Sequence, residues 1–176
     1  MPNPNNINKF FDKIPKFFRH YLKSFLTYLK EELNEDLISL IIYGSVARST
    51  WNRESDVDVL LIVSNNYFNQ FNEDKISEIT INFYNKCREG SMYDNYINHS
   101  IQILTLSIND LDKFRTLFYD IAVDGIIIYD TNNIGLNLLM KYRNRIEKMG
   151  LKRIFLNKND FYWERKDIEF GELIEL

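Results

Sequence analysis

Two apolar runs in residues 40–63 constrain the fold of this chain more than any other feature. The first run ends at Gly44, and after a short polar segment the second run opens on Asp56 and Asp58. Successive side chains of a strand alternate between its two faces, so the two aspartates point the same way while the valines beside them face a core. The stretch therefore predicts two strands, with a pair of carboxylates at the start of the second.

The aspartate pair and the turn at Gly44-Ser45 have complementary chemistry. Two carboxylates side by side repel each other unless a cation lies between them, and hard oxygen ligands suit Mg²⁺, which often keeps substrate phosphates among its ligands. Glycine allows a phosphate to approach the backbone, and a helix that starts there offers free N–H groups. Arg48 lies one helical turn further on, as a phosphate contact or as an ordinary surface arginine. These residues indicate a site for a metal-bound nucleoside triphosphate.

The pattern Gly-Ser-x-Ala-Arg followed by Ser-Asp-x-Asp resembles the nucleotidyltransferases of the DNA polymerase beta superfamily. It looks most like the minimal nucleotidyltransferases of archaea and bacteria. The segment 117–130 and the tail around residues 152–154 and 162–163 are also similar to small archaeal members, so the resemblance covers residues 17–150 in broad outline. In relatives the residue after the arginine is often glycine, whereas here it is Ser49, which makes the turn less free.

The resemblance implies a fold and an activity. The fold is α/β (α+β), a small mixed sheet backed by helices with the site at one sheet edge. The activity is Mg²⁺- or Mn²⁺-dependent transfer of a nucleoside monophosphate, AMP from ATP or another NTP, to a hydroxyl acceptor. Asp56 and Asp58 would bind the metal, and Gly44, Ser45 and Arg48 would bind the nucleotide. The minimal members raise a specific acceptor, a partner protein as in a toxin–antitoxin pair.

The third carboxylate of the superfamily is where this chain departs from the pattern. A later strand supplies it between apolar residues, and the matching position here is Gln102, which keeps the shape but not the charge. In two-metal phosphoryl transfer this acid helps to bind one ion and can act as a base. Either the chemistry tolerates its loss, or a nearby His99, Asp94 or Asp110 substitutes, or the protein binds nucleotide without turning it over.

That last alternative defines a rival function. Gln102 would then mark a catalytically weak module of the same fold that binds a nucleotide or a partner protein. The two hypotheses differ on turnover, and a structural domain without any ligand would show no Mg²⁺-dependent nucleotide binding at all. The sequence leaves the acceptor, the base preference and the oligomeric state open.

The composition of the chain excludes several classes of protein. A chain of 176 residues suits one domain with a small appendage, and its 45% hydrophobic content is enough for a solid core. The single cysteine, Cys87, excludes an internal disulfide framework and fits a cytoplasmic protein. We expect no signal peptide and no membrane span. A net charge of −3 argues against broad nucleic-acid binding.

The periodicity of apolar residues divides the chain into three parts. Residues 1–35 are expected to form N-terminal helices packed on the core, 36–150 the nucleotidyltransferase domain, and 151–176 a C-terminal β-hairpin and tail. Within the domain, strands are predicted at 37–43, 56–63, 100–106 and 126–129, and helices at 45–51, 66–89, about 107–123 and 134–148. In the helix at 66–89 the residues predicted to face inward are Phe68, Phe71, Ile76, Ile79, Ile81 and Tyr84.

Overall fold

A four-stranded mixed sheet lies at the centre of the computed structural model, which describes residues 11–70, 73–89, 96, 98–158 and 160–165. The predictions for residues 1–8, Phe71, Asp94 and the tail beyond residue 165 lie outside these ranges. In chain order the elements are α1 Lys16–Leu33, β1 Leu37–Tyr43, α2 Gly44–Ala47, β2 Val57–Val63, α3 Asn65–Gln70, α4 Glu73–Arg88, β3 Ile101–Ser107, α5 Leu117–Asp124, β4 Ile126–Asp130, α6 Ile134–Lys148, β5 Leu151–Phe155 and β6 Phe161–Arg165. Short 3₁₀ turns occupy Asn34–Asp36 and Ile108–Asp112. Within the described ranges no helix combines the length and the apolar character that crossing a bilayer requires.

The strand order of the sheet is β3-β2-β1-β4. The β1 strand runs antiparallel to β2 and to β4, whereas β3 runs parallel to β2 and forms one edge. Central residues of β1 and β2 are fully buried because helices cover both faces, and this explains why both strands read as nearly continuous apolar runs. The α/β (α+β) class and the mixed sheet backed by helices are confirmed, and so is the C-terminal hairpin formed by β5 and β6.

Two hydrophobic clusters lie on the two faces of the sheet. On one face α1 and α4 pack against β1 and β2, and the rings of Phe18 and Phe25 in α1 are fully buried there. On the other face α5 and α6 cover the sheet through residues such as Phe118 and Leu138. The aromatic residues of α1 are therefore mostly core residues, as their spacing predicts, with Phe17 as an exception that is 40% exposed.

The helix predicted over 66–89 corresponds to α3 and α4, with residues 71–72 outside the described ranges, and its predicted facing is wrong at Ile81. Ile81, predicted to face inward, is 58% exposed, whereas Phe83 is only 4% exposed. The buried positions of α4 are Ile76, Ile79, Phe83 and Cys87, which follow the helical repeat. Ile81 lies two residues from the nearest of them and so falls on the outer face.

The helix predicted over 107–123 is broken. The Ser107 side chain accepts a hydrogen bond from the Asp110 N–H, and the Asp110 carboxylate accepts one from the Ser107 N–H, so a reciprocal capping box is present. It starts only a 3₁₀ turn, because Lys113 takes an extended conformation with ψ 128° and ends the turn. A second start at Leu117 then gives the short α5.

Asp110 makes a testable contribution to stability. The Lys113 ammonium and the Ser107 hydroxyl donate to its carboxylate and lower its pKa to about 2, below the ordinary value of about 3.9. A lowered folded-state pKa stabilises the fold above the unfolded value, and the contribution is lost as the pH falls towards about 2. We expect Asp110→Asn to reduce the free energy of unfolding by roughly 1 kcal/mol at neutral pH.

The measurement is urea denaturation of both proteins over a series of pH values. The difference between them should be full above about pH 4 and should close as the pH approaches about 2. Asp112→Asn is the matched control, since its side chain is 92% exposed and its ion pair with Lys141 lies on the surface. A difference that does not change with pH would contradict the assignment.

Candidate active site

The two aspartates of the Asp-x-Asp segment lie at the start of β2. In the sheet register Asp58 is opposite Tyr43 of β1 on one side and Gln102 of β3 on the other. Val57 and Val59 are fully buried, so Asp56 and Asp58 project from the opposite side of the strand, as the alternation predicts. Asp58 is half-buried and Asp56 is exposed. The pair therefore lies at one end of the sheet and is open to solvent on one side.

The electrostatics of the pair favour a bound cation. Burial raises the pKa of the Asp58 carboxyl, the negative charge of Asp56 raises it further, and the positive charge of Arg48 partly offsets both effects. A cation between the two carboxylates would remove the repulsion and replace the lost hydration. Hard oxygen donors on one face of a strand are ligands that Mg²⁺ prefers.

Gly44 allows the end of β1 to lie directly against Asp58. Its φ is +69°, and a Cβ built on it would lie 1.9 Å from Asp58 Oδ2. Any side chain at this position would therefore occupy the space of the carboxylate, in addition to straining the backbone. The turn leaves peptide backbone, with no side chain, beside the aspartate pair, which is the space that a phosphate group requires.

The helix that follows Gly44 is shorter than the predicted 45–51, since α2 ends at Ala47. Ser49 takes a left-handed conformation with φ +58°, which stops the helix after about one turn. The residue at the N-cap is Tyr43 and makes no side-chain capping bond, so Ser45 is not the cap. The half-buried Ser45 follows Gly44 in the first turn of α2, and its contact with phosphate stays a prediction.

Arg48 lies between the site and the C-terminal part of the chain. Its Nη1 is 3.4 Å from Asp124 Oδ2, and its guanidinium lies over the Phe161 ring of the hairpin. Asp124 is shared with Arg153, whose Nη1 is 2.8 Å from both carboxylate oxygens. Within the described part of the chain Arg48 Nε is buried without a hydrogen-bond partner. Arg48 is thus a link from α2 to α5 and the hairpin, and its role at a phosphate stays a prediction.

Position 102, where the superfamily pattern predicts an acid, carries a hydrogen-bonded amide. Gln102 Nε2 donates to Ser100 Oγ at 3.0 Å, and Ser100 Oγ donates to Asp56 Oδ1 at 2.5 Å. Ser100 is the residue that sequence reasoning missed, although it directly precedes β3 and lies two residues before Gln102, the spacing at which extended side chains share a face. Among the residues described, no three or more histidine, cysteine or acidic side chains cluster around a common metal position.

Two of the predicted substitutes for the third acid are placed elsewhere. His99 is 5% exposed, its Nδ1 donates to the Ser55 carbonyl at 2.7 Å, and its ring packs among Phe17, Phe18 and Trp51. Asp110 caps the turn after the far end of β3. His99 therefore holds the loop before Asp56, and neither side chain can supply a carboxylate to the pair.

Comparison with known proteins places this site in a family. A family model described as "Nucleotidyltransferase domain" matches residues 22–104, a range that contains Gly44, Asp56, Asp58 and Gln102. Residues 22–104 therefore match a nucleotidyltransferase domain, which supports the resemblance to the DNA polymerase beta superfamily. This nucleotidyltransferase is 29% identical over 160 residues to the Methanocaldococcus jannaschii protein named "Putative protein adenylyltransferase MJ1305", covering 90% of this chain and 98% of that protein. Both matches indicate that the chain is an enzyme of the nucleotidyltransferase class.

Solved structures provide a more distant likeness. A toxin–antitoxin with AMP-PNP matches 73% of this nucleotidyltransferase and 91% of its own chain, with 12% identity and a TM-score of 0.46. A tri-AMPylated Shewanella oneidensis HEPN toxin in complex with MNT antitoxin matches 71% of this chain and 86% of that chain, with 9% identity and a TM-score of 0.41. At these scores the likeness implies nothing about substrate or partner.

Proposed function

We propose that this nucleotidyltransferase transfers AMP from ATP to a hydroxyl group of another protein, with Mg²⁺ as its metal. The observation that carries the proposal is the approach of Gly44 to Asp58, where even a Cβ would lie 1.9 Å from Asp58 Oδ2. Backbone without a side chain beside a carboxylate pair suits a triphosphate held through a metal. The Methanocaldococcus jannaschii relative, which is named a protein adenylyltransferase, supports a protein as the acceptor.

The donor set fits Mg²⁺ in this setting. Mg²⁺ is commonly held by one or two carboxylates together with substrate phosphates and waters, and Asp56 and Asp58 provide two carboxylates. Burial and the negative charge of Asp56 raise the pKa of Asp58, which means that the ionised form of Asp58 is destabilised in the folded protein. A bound cation would stabilise that ionised form. When bound, the metal neutralises charge on the phosphates during transfer. Asp56 and Asp58 would fix the position of the metal relative to the phosphates.

The proposed reaction is a displacement at the α-phosphorus of ATP. The acceptor oxygen forms a bond to the α-phosphorus, the bond from that phosphorus to the bridging oxygen breaks, and pyrophosphate leaves with the electron pair. The turn at Gly44 and Ser45 orients the departing phosphates through backbone N–H groups. Gln102 cannot take the acceptor's proton, because an amide is not a base at neutral pH. The proton therefore leaves to solvent on the exposed side of Asp56.

One observation favours a second candidate. Gln102 stands where the superfamily pattern predicts an acid that can act as a base, so a protein that binds nucleotide without transferring it is the alternative. The two candidates make the same prediction for ATP binding and opposite predictions for covalent transfer.

The test uses ATP labelled either at the α-phosphate or at the γ-phosphate. We expect protein from the native host to become labelled from α-labelled ATP only, in the presence of Mg²⁺ and the wild-type protein. The first acceptor to try is the product of a neighbouring gene, since the Gly-Ser and Asp-x-Asp segment resembles minimal nucleotidyltransferases. Label from the γ-phosphate would indicate a kinase, and binding without any label transfer would favour the second candidate.

A further inference from the structure

We infer that Ser100 and Gln102 are positioning residues that orient the Asp56 carboxylate through a relay of hydrogen bonds. The inference rests on the proposed function, because Asp56 is one of the two residues proposed to hold the metal and the nucleotide. Gln102, at the position where an acid was expected, would then orient the Asp56 carboxylate instead of binding the metal itself.

The relay starts at Gln102 in β3, passes through Ser100 directly before β3 and ends at Asp56 directly before β2. Gln102 Nε2 lies 3.0 Å from Ser100 Oγ, and Ser100 Oγ lies 2.5 Å from Asp56 Oδ1. Residues two apart in a strand share a face, so the two side chains are adjacent without strain. The short second distance is typical of a hydroxyl that donates to a carboxylate.

The direction of the relay follows from the number of protons available. A serine hydroxyl has one proton to donate, and the carboxylate of Asp56 can only accept. Ser100 therefore gives its proton to Asp56 and needs a donor for its own oxygen, which the Gln102 amide provides. A glutamate or aspartate at position 102 would instead compete with Asp56 for the same proton. An amide at this position is thus what the relay requires.

The backbone holds Ser100 on both sides. The Val57 N–H donates to the Ser100 carbonyl at 2.8 Å, and the Ile101 N–H donates to the Tyr84 hydroxyl of α4 at 2.5 Å. The two bonds tie β3 to β2 and to α4 at the point where the Ser100 side chain projects. Because this backbone is fixed, the Ser100 hydroxyl can fix the rotation of the Asp56 carboxylate.

The relay changes the charge of the site as well as its geometry. A third acid at position 102 would give the site three negative charges, whereas Asp56 and Asp58 give it two. A neutral relay orients Asp56 without adding to the repulsion that already raises the pKa of Asp58. The hydrogen bond from Ser100 uses one acceptor site of Asp56 Oδ1 and leaves the other acceptor sites of the carboxylate for a cation.

The experiment measures Mn²⁺ affinity by paramagnetic resonance, with and without a non-hydrolysable ATP analogue, alongside transfer activity. We expect Ser100→Ala to weaken Mn²⁺ binding about tenfold, the lower end of the effect of residues that orient metal ligands. Gln102→Ala should weaken it roughly threefold, because it acts through one exposed hydrogen bond. Ser100→Thr keeps the hydroxyl and should recover most of the affinity. Thr105→Ala, on the opposite face of β3, is the control for strand integrity.

A double-mutant cycle decides whether Gln102 acts through Ser100. In a relay the double variant Ser100→Ala/Gln102→Ala should bind Mn²⁺ no more weakly than Ser100→Ala alone. If Gln102→Ala weakens binding equally in both backgrounds, Gln102 acts independently of Ser100 and the relay is overturned. Wild-type affinity in Ser100→Ala would overturn it as well.

Failure of the relay is distinct from failure of the proposed function. If the wild-type protein binds Mn²⁺ with the analogue and transfers AMP while Ser100→Ala behaves identically, only the relay is wrong. If the wild-type protein binds neither Mn²⁺ nor the analogue, the proposed function is wrong and the relay has no ligand to orient.

Discussion

Asp58→Asn is expected to lower kcat/KM for nucleotidyl transfer by at least about a thousandfold, equivalent to about 4 kcal/mol of transition-state stabilisation. The asparagine keeps the size of the side chain but removes the charge that holds the cation. Metal-assisted charge neutralisation provides several kcal/mol in phosphoryl transfer. The measurement is the rate of AMP incorporation at limiting ATP, with Asp112→Asn as a matched substitution on the surface.

The same substitution should not weaken the fold. Burial and the charge of Asp56 raise the pKa of Asp58, so the ionised carboxylate destabilises the folded state at neutral pH. A neutral asparagine removes this repulsion, and the free energy of unfolding of the variant should equal or exceed that of the wild-type protein. Loss of activity together with a clear loss of stability would mean that Asp58 is a structural residue.

Gly44→Ala is expected to lower transfer about a hundredfold and to reduce the free energy of unfolding by roughly 1–2 kcal/mol. The stability loss comes from the left-handed backbone, where φ is +69°. The activity loss comes from the new Cβ, which would lie 1.9 Å from Asp58 Oδ2 and must displace the carboxylate. A displacement of about 1 Å at a reacting centre is enough for a hundredfold effect.

Gly150→Ala separates these two effects. Gly150 also has a positive φ of +58°, but a Cβ on it would meet no atom within 4 Å. The control variant should therefore show a similar stability loss with unchanged transfer. If Gly44→Ala and Gly150→Ala reduce activity equally, the loss at Gly44 reflects backbone strain and the close approach to Asp58 has no functional meaning.

Several elements of the fold could be predicted because their signals are local. The strand at 37–43 was predicted with the bounds that β1 has, since a continuous apolar run bounded by polar residues leaves little freedom. The helix at 134–148 was predicted with its bounds, and Gly150 follows it with a positive φ. Alternation in β2 also correctly predicted that Asp56 and Asp58 share a face.

The parts that failed depend on backbone geometry that the side-chain pattern does not reveal. The site helix ends at Ala47 because Ser49 takes a left-handed conformation, which is unusual for serine. In α4 the inward position predicted for Ile81 is wrong, because the helical repeat that contains the predicted Ile76 and Ile79 continues to Phe83. Ile81 is apolar and close to that repeat in sequence, so its hydrophobicity alone did not show that it faces outward.

The surroundings of the site could not be predicted, because they depend on contacts between distant segments. Arg48 meets Asp124 across a separation of 76 residues, and Ser100 meets Asp56 across 44. Ser100 carried no signal of its own, because a serine before a strand is common. The motif thus identified the carboxylates and the turn, while the side chains that hold them became visible only in the folded chain.

Calorimetry of ATP binding, with Mg²⁺ and with EDTA, on the wild-type protein and on Asp58→Asn is the most direct test of the nucleotide site. We predict binding that requires both the metal and Asp58 and that Asp112→Asn retains. Binding that persists in EDTA or in Asp58→Asn, or no binding of ATP by the wild-type protein, would contradict an Mg²⁺-dependent adenylyltransferase built on Asp56 and Asp58.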